Sequence, residues 1–147
     1  MRKYLKTTLI VACLLFNMPI IGSNPATWDV YFENDTIKIE FAYQNCDFSS
    51  TSSQEIIILK FTNLSAAKIT LAYETEIWYN DKKINTKVNE EEFRKIIKLN
   101  QNQTITANCD NQWREHTLFS AFISNENNEK HVSLTKFELT NITTSND

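Results

Sequence analysis

The sequence predicts an all-β fold, a two-layer antiparallel β-sandwich, on three observations. Apolar and polar residues alternate over long stretches, turn signals recur about every 8 to 14 residues, and no long helical period follows Trp28. Past Pro25 the chain has neither glycine nor proline, so its tight turns fall to Asn, Asp and Ser, which tolerate left-handed backbone or bond to their own main chain. The same absence excludes a phosphate-cradling GxxxxGK[ST] loop, a GxGxxG dinucleotide turn and a GxSxG nucleophile elbow.

The elements follow in order. Residues 28–33 form a short strand. In 36–44, Ile37, Ile39, Phe41 and Tyr43 alternate with Lys38, Glu40 and Gln44, a half-buried strand. Residues 55–63 carry Ile56, Ile57, Ile58 and Leu59 in a row, as a central strand covered on both faces would. In 68–79, Ile69, Leu71, Tyr73, Thr75, Ile77 and Tyr79 share one face, opposite Lys68, Thr70, Glu74 and Glu76. Shorter strands are expected at 83–88 and 104–109. Turns are expected at Asn63, Leu64 and Ser65, at Asn80, Asp81 and Lys82, and at Asn100, Gln101 and Asn102. Ser49 to Ser53 read as a mobile surface loop.

Two segments admit either class. Asn89 before Glu90, Glu91 and Glu92 looks like a capped helix start, whereas Phe93, Lys95, Ile97 and Leu99 alternate as a strand, the reading we favour for 90–99. Residues 114–125 admit one short helix, since Leu118, Phe119 and Phe122 share a helical face. Residues 130–142 close the domain as a strand with Phe137 and Leu139 inward.

Seven to nine short strands with these turns resemble an immunoglobulin-like sandwich. The export signal described below, with the richness in Asn, Lys, Ile and Thr, is similar to the small exported proteins of Bacteroidota. The resemblance departs from true immunoglobulin domains at the core. Trp78 lies far past Cys46 instead of about a dozen residues on, and position 107, two before the second cysteine, is alanine where a tyrosine is usual.

Residues 1–23 read as a secretory signal peptide and 24–147 as a single sandwich domain. Arg2, Lys3 and Lys6 supply a positive start, residues 7–16 an apolar run, and Gly22 and Ser23 small residues at the expected cleavage site, with Ala26 as a fallback. A membrane anchor needs about 20 apolar residues, and Asn17 and Pro19 break this run too early. Ile10, Val11, Ala12 and Cys13 have the shape of a lipobox, but cutting there leaves Leu14, Leu15 and Phe16 at the new terminus, so Cys13 reads as filler. The mature chain is expected in the periplasm or outside the cell and not embedded in a membrane.

Taking Arg2, Lys3 and Lys6 from 15 basic residues leaves 12 against 18 acidic ones, a net charge of −6. That sign, with Lys and Arg scattered among acids, disfavours nucleic acid. Without Cys13 two of the 3 cysteines remain, and Cys46 and Cys109 are expected to pair in an oxidising compartment. A ring of that length is worth about 4 kcal/mol. Each cysteine ends a predicted strand, so the bond is expected to staple two loops at one pole. The chain has no CxxC and no HExxH, and only His116 and His131 as imidazoles, so no metal and no cofactor are expected.

Catalysis has few candidates. His116 reads as a rim residue and His131 as the head of the last strand. Asp29 with Glu33, or Glu74 with Glu76, form the carboxylate pairs a polysaccharide hydrolase would require. Trp78, on the polar side of its strand, is the leading binding candidate, followed by Phe48 beside the serine loop, Trp113 and Trp28. The four N-x-[ST] sequons at Asn34, Asn63, Asn102 and Asn141 are about what chance gives in an Asn- and Thr-rich chain. The sequence therefore points to a non-catalytic exported domain that binds a protein or a glycan. A small secreted inhibitor built on the cysteine pole is the alternative, and a carboxylate hydrolase ranks third.

Overall fold

The computed structural model describes residues 27–49, 52–84, 93–109, 114–123 and 132–146. They form two antiparallel sheets packed face to face, an all-β sandwich. In sheet A, β1 (Asp29–Glu33), β2 (Ile37–Ser49) and β3 (Ser52–Asn63) lie side by side in chain order. β2 occupies one whole edge of β3, so β7 (Thr104–Thr106) and β8 (Thr117–Ile123) share the other edge end to end. Sheet B repeats this arrangement around β4 (Ile69–Tyr79). β9 (Leu134–Asn146) takes one edge, while β5 (Lys82–Lys83) and β6 (Arg94–Leu99) share the other.

The alternation read in the sequence sets which side chains meet. Ile37 and Ile39 of β2, Ile57, Leu59 and Phe61 of β3, and Ile69, Leu71 and Tyr73 of β4 are buried together with Ile97, Leu99, Ile105 and Leu139. Removing each such side chain from water contributes about 1.5–3 kcal/mol. β3 is covered on both faces, as its unbroken apolar run implies. Ile56 and Ile58 point the other way, into a second cluster with Ala42, Cys46 and Ala107, against which Trp28 and Cys109 pack. In β9, Leu139 is buried and Phe137 packs against the main core.

Asparagine takes the place of glycine in the turns. Asn80 and Asp81 both have positive φ, 47° and 65°, and join β4 to β5 in the two-residue turn whose twist suits a hairpin. Asn141, φ 51°, makes a bulge in β9, and its amide donates to Glu74 at 2.8 Å. Asn63 is a buried hub: its amide donates to the carbonyls of Ala67 and Asn100 at 2.8 and 2.9 Å, and its oxygen accepts from the Ser65 N–H and hydroxyl. At the other side of the sandwich, Leu139 N–H donates to the Tyr31 hydroxyl at 2.7 Å, which ties β1 of sheet A to the outer edge of β9.

Several expectations are corrected. Residues 117–123 are a strand, preceded by a single 3-10 turn, Arg114–His116. The edge of β3 left open beyond β7 offers backbone partners, and these outweigh the helical spacing of Leu118, Phe119 and Phe122. Residues 94–99 are the strand we favoured. The serine run is largely strand: Ser49 pairs with Ser52 and Asp47 with Ser53, so the β2–β3 hairpin runs almost to its tip. Cys46 and Cys109 are bonded, with Cα atoms 5.6 Å apart. The bond is not a staple between polar loops, because Cys46 sits within β2 and is buried on the outer face of sheet A, where it holds the segment after β7 over Ile56 and Ile58. Among the described residues no helix is long and apolar enough to cross a membrane. The expected leader, with Cys13, and residues 85–92, with the alternative helix start and the end of the strand expected at 83–88, lie outside the described residues.

Candidate functional site

A cleft of about 260 Å3 opens between the sheets on the side where β8 faces β6. Its floor is the inner face of β4, because the period that buries Tyr73, Thr75 and Ile77 also turns Tyr79 the same way. Leu118 and Phe119 of β8 form one wall, and Phe93 and Lys95 at the start of β6 form the other. Glu115 and His116 enter from the 3-10 turn.

Two hydrogen bonds cross from β4 to the β8 segment. The Tyr73 hydroxyl meets His116 Nδ1 at 2.8 Å, and the Tyr79 hydroxyl donates to the Phe119 carbonyl at 2.8 Å. His116 is thus a core residue, 2 % exposed and packed edge-on against Phe61, and not the rim residue its polar context suggested. Burial lowers its pKa to about 4; the Glu115 carboxylate pulls the other way, and the Lys95 ammonium adds to the lowering. The imidazole is therefore neutral at pH 7. Nε2 stands 3.5 Å from Glu115 Oε1, which favours the ring proton there and leaves Nδ1 to accept from the phenol. Tyr73 is itself pushed well above the usual phenol range by burial, with Glu115 adding to the effect.

The order Tyr73, His116, Glu115 has the outline of a nucleophile, base and acid. Its physics differs. The phenol is almost wholly buried and held protonated, and the imidazole is too weak a base to take its proton. No group of three or more His, Cys, Asp or Glu among the described residues is arranged to hold a metal ion.

No family model, curated protein or solved structure matches the chain.

The residues singled out in the sequence lie mostly away from this cleft. Trp78 is on the outer face of sheet B, half-buried, with Lys136 Nζ 4.5 Å and Lys83 Nζ 5.3 Å from its ring centre. Lys83 also pairs with Glu76 at 2.8 Å, and Lys136 with Glu138 at 2.7 Å, so the indole sits inside a charge ladder. Trp28 lies on the outer face of sheet A with Lys60 Nζ 4.2 Å from its ring, and Lys60 pairs with Glu40. Glu74 and Glu76 do share a face, but it is the one opposite the cleft, and each has a partner of its own. Asp29 and Glu33 are exposed at the two ends of β1. Trp113, His131 and the side chain of Phe48 lie outside the described residues.

Sequence reasoning missed the Tyr73–His116 pair. One signal pointed to it: Tyr73 lies in the buried phase of β4, where a phenol needs a hydrogen-bond partner, and the chain has few imidazoles to supply one.

Proposed function

We propose that the protein is a non-catalytic exported binding domain that receives a protein or glycan partner at the cleft between β6 and β8. The observation that carries this reading is the cleft itself. Phe93, Leu118, Phe119 and Tyr79 are partly exposed around it, and Lys95 and Glu115 bring one charge of each sign. At about 260 Å3 it falls just below the size of sites for drug-sized ligands, about 300–1,000 Å3, and suits one side chain or one sugar ring. Export is supported by the leader pattern and by a disulfide of the kind an oxidising compartment sustains.

The other readings have less support. A staple beside a rigid polar loop, which an inhibitor built on the cysteines would use, is not where the bond lies. A hydrolase would have its paired acids in the cleft, whereas Glu74 and Glu76 are on the opposite face of β4. Stacking of a sugar on Trp78 competes with the two lysines already at its ring.

Leu118→Arg, which puts a long cation on the inner face of β8 in the cleft wall, tests the proposal. The mature domain, presented to a glycan array and to cell-envelope extract from its own source, is expected to lose its specific ligand in this variant and to keep it in Trp78→Ala. Loss with Trp78→Ala and retention with Leu118→Arg would move the site to the outer face of sheet B and overturn the cleft reading.

A further inference from the structure

The ligand of this cleft can be narrowed, on the reading that the cleft is the binding site. The two cross-sheet bonds, Tyr73 to His116 and Tyr79 to Phe119, tie β4 to the β8 segment at two points six residues apart along β4. Between them lies a bay entered from its mouth, which suits an inserted end better than a polymer threaded through. Both tyrosine hydroxyls are spent on these internal bonds, so the bay offers few of the directional partners that the many hydroxyls of a sugar require on leaving water.

What remains available is an apolar wall and two charges. Phe93, Leu118 and Phe119 are partly exposed hydrophobes, while Lys95 is half-buried against them. The Glu115 side chain is 63 % exposed and stands further out, at the rim. Both charges lie near enough to His116 to act on its imidazole, yet among the described residues no ion pair joins Lys95 to Glu115. A half-buried ammonium beside apolar walls gains most from an anion delivered together with an apolar body. A chain end does this, because its carboxylate and last side chain arrive on one residue.

We infer that the cleft binds the free C-terminus of a peptide or protein, with an apolar last residue between Phe93, Leu118 and Phe119, its carboxylate on Lys95 and a basic residue before it on Glu115.

Synthetic hexapeptides decide the matter. One ends in lysine-phenylalanine as the free acid, the second is its C-terminal amide, and the third ends in lysine-alanine. A cellulose-derived hexasaccharide serves as the glycan arm. Titration by calorimetry is expected to show binding of the free acid, weakening of about tenfold in the amide from loss of one charge-assisted contact, and at least as large a loss with alanine. Lys95→Met should bind acid and amide alike, and Leu118→Arg should bind neither. Circular dichroism melts check that the variants are folded. Equal binding of acid and amide to the wild type, persistence of the acid preference in Lys95→Met, or no peptide binding at millimolar concentration would overturn the inference. If the hexasaccharide binds instead and Leu118→Arg abolishes it, the chain-end assignment falls and the cleft reading stands. If peptide binding survives Leu118→Arg, both fall.

Discussion

His116 makes the stability of the fold depend on acid in a way that can be calculated. Its pKa falls from 6.5 in the open chain to about 4 in the fold, so the unfolded state binds its proton first as the pH drops. The stabilisation from keeping this ring neutral is complete above pH 6.5 and is lost as the pH falls toward 4. At about 1.36 kcal/mol per pH unit the loss approaches 3 kcal/mol by pH 4, a large part of the 5–15 kcal/mol typical of a domain. The comparison that isolates it is His116→Gln, whose side-chain carbonyl still accepts the Tyr73 phenol proton but does not titrate. Urea unfolding followed by tryptophan fluorescence at pH 7, 5.5 and 4 gives both stabilities, and the shared carboxylate titrations cancel in the difference. The wild type should lose about 3 kcal/mol more than the variant between pH 7 and 4. A difference that stays constant across that range would show that His116 is not buried neutral, and the argument for an inert Tyr73–His116 pair would fail with it.

Three further outcomes are expected from the packing. Replacing Cys46 and Cys109 together with alanine should lower stability by about 4 kcal/mol, the loop-entropy value for a crosslink of this span, as read by urea midpoints against oxidised wild type. Asn63→Leu should cost about 3 kcal/mol, because the carbonyls of Ala67 and Asn100 and the N–H of Ser65 lose their partner together; a change under about 1 kcal/mol would mean water replaces them. Tyr31→Phe should cost only about 1 kcal/mol globally. It should also speed amide hydrogen exchange selectively at Leu139, and uniform exchange along β9 would contradict the latch.

Much of the architecture was legible because it depends on neighbours in the chain. Strict alternation in β4 and the unbroken Ile56 to Leu59 run in β3 announce one half-buried and one fully covered strand, and both are found. Left-handed asparagines were legible too, since a chain without glycine past residue 25 must place such conformations on Asn or Asp, as it does at Asn80, Asp81, Asn102 and Asn141. What depended on distant partners was not. β8 reads equally as helix until the vacant edge of β3, some 60 residues earlier in the chain, is known. The cysteine pairing followed from counting, but its place did not: Gln44 to Asp47 look like the end of a strand, and pairing with residues 53–56 carries β2 onward through them. The polar phase of Trp78 is legible in the alternation of β4, and the structure has it so; the lysines over its ring come from β5 and β9. The cleft needed β4, β6 and the turn before β8 to be brought together, and no local pattern encodes that.

The two strands that share an edge have a consequence for how the chain assembles. β1, β2 and β3 close against one another through local hairpins and can form as soon as Asn63 is available. β4 has no such neighbour along its full length until β9 arrives, since Ile69 pairs with Asn146 and Tyr79 with Leu134. Sheet B is therefore finished by the last dozen residues, and contacts of such long sequence separation form slowly. A chain stopped before Leu134 would leave one long edge of β4 unpaired and the core without Phe137 and Leu139, an open edge whose natural next step is to pair with another like itself.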